Sequence, residues 1–317
     1  MSKDRIQDYT IIKELTNEHS GFAKWGFVKK NGEEFFIKEF LSPIYPDECS
    51  PISQEQKQKK INECFEWVKR KTALYEAIRE TSNGNIIIPR DFFRDGSHYY
   101  LVTDKVDTST LSMSEISSLD MDIKLIILKV FAHCLNQLGK NGIIHGDLKP
   151  ENLLIKETIA GMYTVKMIDF DSSYLESQLP SPDEIQCDPT YMAPEVFLYM
   201  IDETSVINHQ SDIFSAGLIF HQYICGELPR IPEGYDYIYE AVLDDAGIVI
   251  HESIPPRLKQ IINMMLVKNP TERLTSEYMY QLMILTTQRD LFSGTTYQTG
   301  ETTPKKNTFR PASDDEW

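Results

Sequence analysis

The run His145-Gly146-Asp147-Leu148-Lys149-Pro150-Glu151-Asn152-Leu153-Leu154 precedes Met167-Ile168-Asp169-Phe170-Asp171, so that one short span carries two acidic centres, an amide and an ammonium. Those residue types, at those spacings, suit metal-assisted phosphoryl transfer. The transferring group keeps its charge on oxygens, so the chemistry asks a protein mainly for positioning and charge neutralisation. Between the two acidic centres, Leu153-Leu154-Ile155 and Tyr163-Thr164-Val165-Lys166-Met167 flank a turn over residues 157–161. A hairpin of this kind returns Asp169 beside Asp147.

Working outward, Ile123, Leu125, Ile126, Leu128, Val130, Phe131, Leu135 and Leu138 recur at helical spacing up to Gly139, and Gly142 precedes a short strand into His145. On the N-terminal side, residues 9–40 alternate apolar and polar side chains around turn signals at Gly21 and Asn31-Gly32, which predicts three antiparallel strands. Residues 53–80 then read as one long helix with Ile61, Cys64, Phe65, Val68 and Tyr75 near one face.

The loop at 145–154 resembles the catalytic loop of the protein-kinase family, and Asp169-Phe170-Asp171 resembles its metal motif. Met192-Ala193-Pro194-Glu195, the segment Ser211-Asp212-Ile213-Phe214-Ser215-Ala216-Gly217 and Asn269-Pro270-Thr271-Glu272-Arg273-Leu274 resemble later motifs of that family in the same order. The resemblance implies an α+β, two-lobed kinase-like fold. Its lobes are a small β-rich N-lobe with one long helix over residues 1–106 and a larger, mainly helical C-lobe over residues 107–290, followed by a mobile Thr-rich tail over residues 291–317. It further implies that Asp147 accepts the proton of the substrate hydroxyl, that Lys149 steadies the γ-phosphate, and that Asn152 and Asp169 hold Mg²⁺ or Mn²⁺. In that family the matching positions form a buried ion pair, so Glu195 and Arg273 are expected to pair, either charge alone being costly to desolvate.

The same resemblance makes Lys38, in Phe35-Phe36-Ile37-Lys38, the residue that grips the α- and β-phosphates of ATP. It adds Gly21 and Ala23 of the phosphate-covering turn, the backbone of Asp104 and Val106, and Leu154 to the nucleotide-binding set, with Thr103 at the rear of the base pocket. A Glu on the long helix would brace Lys38, and Glu63, Glu66 and Glu76 all remain open for that role. The strand over residues 99–106 leads into the hinge, and the last helix covers residues 276–290.

Several positions depart from the family pattern. Only Gly21 survives of three expected glycines, with Thr16 and Glu18 in place of the others, which points to weaker ATP binding or an altered loop path. Phe36 stands where a small Ala packs on adenine, and Asp171 stands where Gly is usual, as a turn cap or a further metal ligand. Asp188 replaces a Thr that contacts the catalytic-loop Lys, so an Asp188 to Lys149 ion pair is expected in its place. Gly146 replaces the Arg that in many kinases receives an activation-loop phosphate.

Composition narrows the partners. Forty-eight acidic against thirty-two basic side chains in 317 residues give a net charge of -16, which disfavours nucleic acid and anionic membrane. Five cysteines, Cys49, Cys64, Cys134, Cys187 and Cys225, lack paired metal-ligand spacing and suggest a reducing compartment. The start Met1-Ser2-Lys3-Asp4-Arg5 has no apolar signal core, and a cytoplasmic soluble protein is the expectation.

Lys149-Pro150-Glu151 is similar to Ser/Thr rather than tyrosine kinases, so the implied function is transfer of the ATP γ-phosphate to protein Ser or Thr hydroxyls, autophosphorylation included. Thr295, Thr296, Thr299, Thr302, Thr303 and Thr308 of the tail are candidate self-phosphorylation sites for a phosphothreonine-reading partner. Two alternatives stand beside this: a pseudokinase serving as a binding or scaffold module, and a small-molecule phosphotransferase, whose loop His145-Gly146-Asp147 also resembles. With Gly146 in the Arg position, phosphatase-treated recombinant protein is expected to retain full activity in a phosphate-transfer assay. A large rise on phosphorylation of residues 172–188 would contradict it.

Overall fold

The computed structural model describes residues 4–18, 23–48, 50–81, 84–158, 161–201 and 206–292. The chain divides into two compact units. Met1–Ser82 and Ile87–Thr108 form the first, while Asn83–Ile86 join the residues from Ser109 onward in the second.

In the first unit, strands β1 (Arg5–Ile6), β2 (Tyr9–Thr16), β3 (Ala23–Lys30) and β4 (Glu33–Phe40) precede helix α1 (Gln54–Thr81), and β5 (Pro89–Asp95) and β6 (His98–Asp104) follow it. The strands make one antiparallel sheet in the order β1-β2-β3-β4-β6-β5. Asn31 and Gly32, both at positive φ, turn β3 into β4, as their sequence signal requires. Side chains alternate between faces. One face buries Ile6, Tyr9, Val28, Ile37, Tyr100 and Val102, with Phe35 and Phe93 packed against them. The other carries Lys38, and its Phe40 end receives α1 through Trp67, which meets Phe40, Phe92 and Tyr99 at ring distances of 5.2, 5.6 and 5.1 Å.

Helix α1 starts on a capping box, in which Gln56 N–H donates to Ser53 Oγ and Ser53 N–H donates to Gln56 Oε1. Its buried residues are Cys64, Leu74, Tyr75, Ile78 and Thr81. Phe65 is 65% exposed, contrary to the face drawn from sequence. Ring packing by Trp67 sets the helix rotation, which leaves Phe65 and its neighbour Glu66 in solvent. Strand β6 ends at Asp104, short of residue 106.

The second unit builds its core on two helices. Helices α2 (Met113–Ser118) and α3 (Met121–Lys140) come first, and α3 buries Leu125, Leu128, Val130, Phe131, Leu135 and Leu138 along most of its length. Strand β7 (Ile143–Ile144) pairs with β10 (Tyr174–Leu175), and β8 (Leu153–Glu157) pairs with β9 (Tyr163–Met167). Helix α4 (Pro194–Ile201) leads to α5 (Gln210–Cys225), which is buried on nearly every side. A helix apolar all round needs neighbours all round. Here Gly217 lets Leu266 and Met265 approach so closely that a Cβ would lie 2.9 and 3.0 Å from them. Helices α6 (Ile238–Leu243), α7 (Pro256–Met265) and α8 (Ser276–Leu285) complete the unit. Helix α8 stops five residues before the expected end, because Thr287 and Asp290 form a separate side-chain-capped turn.

The guanidinium of Arg273 is fully buried and meets the Glu195 carboxylate with both nitrogens, at 2.6 and 2.9 Å. Its remaining donors go to backbone oxygens of Gln210, Val267 and Lys268. Every hydrogen of this cation is thus directed at an acceptor, which is the condition for burying it. Glu195→Ala is expected to lower stability by about 3–5 kcal/mol, read as a lower urea midpoint at unchanged slope. The double variant Glu195→Leu, Arg273→Met should recover most of that loss, because the cost lies in the orphaned charge.

Candidate active site

The loop that carries Asp147 hangs from a buried carboxylate. Asp212, in the first turn of α5, accepts the backbone N–H of His145 at 2.7 Å and of Gly146 at 3.1 Å. Burial pushes its carboxyl above the ordinary value, and the neighbouring His145 ring and the two N–H bonds oppose that shift. Gly146 has φ +78, and a Cβ there would lie 2.7 Å from the Ser172 carbonyl oxygen. The position therefore excludes side chains for backbone reasons as well.

Residues 168–173 are stitched to the same loop. His145 Nε2 lies 3.0 Å from the Ile168 carbonyl oxygen while its Nδ1 accepts from Asp147 N–H, so the ring is the Nε2–H tautomer. Ser173 Oγ donates to the His145 carbonyl at 2.7 Å, and Ile168 N–H donates to the Asn152 carbonyl at 3.0 Å. These ties hold Asp169 at φ +63, a conformation few non-glycine residues adopt. The resulting strain is on the order of 1 kcal/mol.

Asp147 is held at both carboxylate oxygens. Oδ1 accepts the backbone N–H of Asp188 at 2.8 Å, and Oδ2 lies 2.8 Å from Lys149 Nζ. Asn152 Nδ2 donates to the Asp147 carbonyl at 2.7 Å, which leaves the amide oxygen of Asn152 as its acceptor end. Lys149 pairs with Asp147 rather than with Asp188, whose side chain accepts Thr190 N–H at 2.9 Å in a local turn. Burial would lower the Lys149 pKa, but the hydrogen bond and charge of Asp147, followed by the charges of Asp188 and Asp169, hold it above the ordinary value. Asp147, Lys149, Asn152 and Asp169 thus meet in one unit, with Asp188 beside them.

Among the remaining sequence candidates, Leu154 is buried in β8 of the second unit. Lys38, Ala23, Asp104 and Val106 belong to the first unit. Ala23 is buried at the start of β3, and the Asp104 carboxylate is bonded twice by Arg90, at 2.6 Å each. Gly21, Cys49 and the tail threonines lie outside the described residues. Glu63, Glu66 and Glu76 are all exposed on α1, and Glu63 pairs with Lys59. Sequence reading missed the part of Asp212 as the loop's anchor; the signal was a charged residue inside an otherwise apolar helix.

One protein family and three curated relatives share this sequence pattern. The family described as Protein kinase domain matches residues 52–284, a span that begins after the strand bearing Lys38. Protein kinase kin1 of Schizosaccharomyces pombe is 27% identical over 286 residues, covering 86% of this chain and 30% of that protein. Calcium-dependent protein kinase 27 of Arabidopsis thaliana is 24% identical over 282 residues, 86% of this chain and 53% of that protein. Calcium-dependent protein kinase 4 of Plasmodium berghei is 32% identical over 169 residues, 50% of this chain and 30% of that protein. The chain therefore spans between 30% and 53% of the length of these curated relatives.

Cys187, next to Asp188, has its thiol pushed up to about 12 by burial and then by the charges of Asp147 and Asp188. A thiol at that value is almost wholly protonated and a poor nucleophile. Iodoacetamide at pH 8 is expected to spare Cys187 in the folded protein and to label it after denaturation, as peptide mass spectrometry would show.

Proposed function

Because the chain belongs to the protein kinase family, we propose that it is a Ser/Thr protein kinase, transferring the γ-phosphate of ATP to protein hydroxyls and to its own chain. The observation that carries this reading is the convergence of Asp147, Lys149, Asn152 and Asp169 on one hydrogen-bonded loop system. Asp147 is the base. Its carboxylate is fixed by Asp188 N–H and Lys149, so it meets the acceptor hydroxyl without reorienting. Lys149 carries a secure positive charge to the transferring phosphoryl group.

Magnesium binds through oxygen, commonly one or two protein groups completed by substrate phosphates. The donor set fits: Asp169 offers a carboxylate and Asn152 an amide oxygen, its nitrogen being committed to Asp147. When bound, the cation neutralises charge on the phosphates. Lys38 serves the α- and β-phosphates, with Ala23, Gly21, Leu154 and the backbone of Asp104 and Val106 around the nucleotide. Acceptors are Ser and Thr of partner proteins and threonines of residues 291–317, the latter offered to a phosphothreonine-reading partner. Residues 1–106 and 107–290 act as the two lobes. Among the described residues no helix is long and apolar enough to cross a membrane, and we place the activity in the cytoplasm.

A catalytically silent binding module is the second reading. It draws on the third carboxylate, Asp188, beside Lys149, where it competes with phosphate for that ammonium. Asp147→Asn and Asp169→Asn separate the two readings. Each should reduce Mg-dependent phosphate transfer roughly 100-fold or more, and transfer insensitive to both would defeat the assignment.

A further inference from the structure

The sheet face that carries Lys38 also carries an aromatic surface. Trp25 pairs directly with Lys38, and Phe27 pairs with Phe36, across β3 and β4. Direct partners and alternate residues share a face, so the three rings and the ammonium stand together. Trp25 and Phe36 lie nearly parallel, with centroids 5.9 Å apart and planes at 24°. Phe27 stands edge-on to Trp25 at 6.0 Å and to Phe36 at 5.9 Å. All three rings remain partly exposed, whereas Phe40, two residues beyond Lys38 on the same face, is buried under Trp67 of α1.

Positive charge surrounds this surface on a chain whose net charge is -16. Lys13 lies 5.1 Å from the Trp25 ring centroid, and Lys105 lies 5.1 Å from that of Phe27 while also bonding Glu34. A partly exposed aromatic platform with ammonium groups over two of its rings, which leaves Phe36 without one among the described contacts, is complementary to a flat heterocycle that bears a polyanion. On the strand itself Lys38 follows Phe36 by two residues, about 6–7 Å along the chain.

Resting on the reading of Lys38 as a phosphate-binding group, we propose that Trp25, Phe27 and Phe36 form the platform on which the donor's base stacks, so that GTP is taken alongside ATP. The physical reason is that stacking accepts any base, since each offers a π face. Strong rejection of a wrong ligand needs buried hydrogen-bonding groups that it leaves unpaired, whereas Asp104 and Val106, whose backbone is assigned to the nucleotide, are both partly exposed and within reach of water. Phe36 in place of a small residue is then a specificity-determining substitution, with Trp25 and Phe27 as its supports.

The test uses the full chain with Trp67→Phe and Trp317→Phe, which leaves Trp25 as the sole indole of three. Trp25 fluorescence is titrated with Mg-ATP, Mg-GTP and inorganic tripolyphosphate. Both nucleotides are expected to quench Trp25, with dissociation constants within about tenfold of each other, as stacking-led recognition implies. Phe36→Ala should weaken both nucleotides roughly 5- to 150-fold and leave tripolyphosphate unchanged. Phe36→Leu, which keeps apolar volume without a π face, makes the same test where the Ala variant folds poorly. Unchanged or tighter nucleotide binding in these variants, or a preference for ATP above about 100-fold, would overturn the inference. Asp147-dependent phosphate transfer with binding indifferent to the platform would sink this proposal alone and leave the kinase reading in place. Base-tolerant, platform-dependent binding without transfer would do the reverse.

Discussion

A single desolvated carboxylate fixes the catalytic geometry of the second unit. Asp212 is buried in the first turn of α5, where its ionised form is disfavoured, and two backbone N–H groups from His145 and Gly146 offset that penalty. Neither N–H group has a helical or strand partner of its own, so the bargain is mutual. The most buried helix of the unit thereby dictates where the Asp147 loop can sit. Ser173 and Ile168 then fasten the Asp169 segment to that loop, and the strained φ of Asp169 persists because bonds on both sides of Ile168 determine it.

The same logic governs two other buried charges. Arg273 satisfies its donors with Glu195 and three backbone oxygens. Lys124, buried in α3, donates to the carbonyls of Ser117 and Ile224 and so ties the end of α2 to the end of α5. Lys149 differs because it is partly exposed and answers to three carboxylates, those of Asp147, Asp188 and Asp169. The buried charges of Arg273 and Lys124 are matched by their acceptors, whereas the site keeps an excess of negative charge. Such an excess is tolerable near solvent, and it suits a centre that receives a cation and phosphate together.

Much of the fold was legible because it follows from periodicity. The alternation over residues 9–40, the helical spacing from Ile123 to Leu138 and the hairpin at 153–167 each correspond to an observed element. The pair Glu195 and Arg273 was legible through the family resemblance, whose matching positions pair, and burial then requires each charge to have its partner. Helix α1 was harder. It is dominated by Gln, Glu and Lys in its first half, and nothing local tells that Trp67, rather than Phe65, faces the sheet. That choice is made by Phe40, Phe92 and Tyr99 on three different strands. The hydrogen bond from Asp188 N–H to Asp147 was equally out of reach, since a side-chain identity says nothing about where its backbone points.

The departures from the family pattern read differently once their neighbours are known. Taken singly, Gly146, Phe36 and Asp188 look like losses. Yet Gly146 occupies a backbone site where a Cβ would strike the Ser172 carbonyl, so the glycine fits the tight crossing of two chain segments. Phe36 is accompanied by Trp25 and Phe27 on the adjoining strand, which pack against it. Asp188 couples to Asp147 through its main-chain N–H, a bond that any residue except Pro could make, while its carboxylate caps Thr190. Phe36 and Asp188 thus meet partners in this chain, and Gly146 has the close approach its crossing requires. Each altered position is therefore consistent with its local surroundings, which is what a sequence compatible with its fold requires.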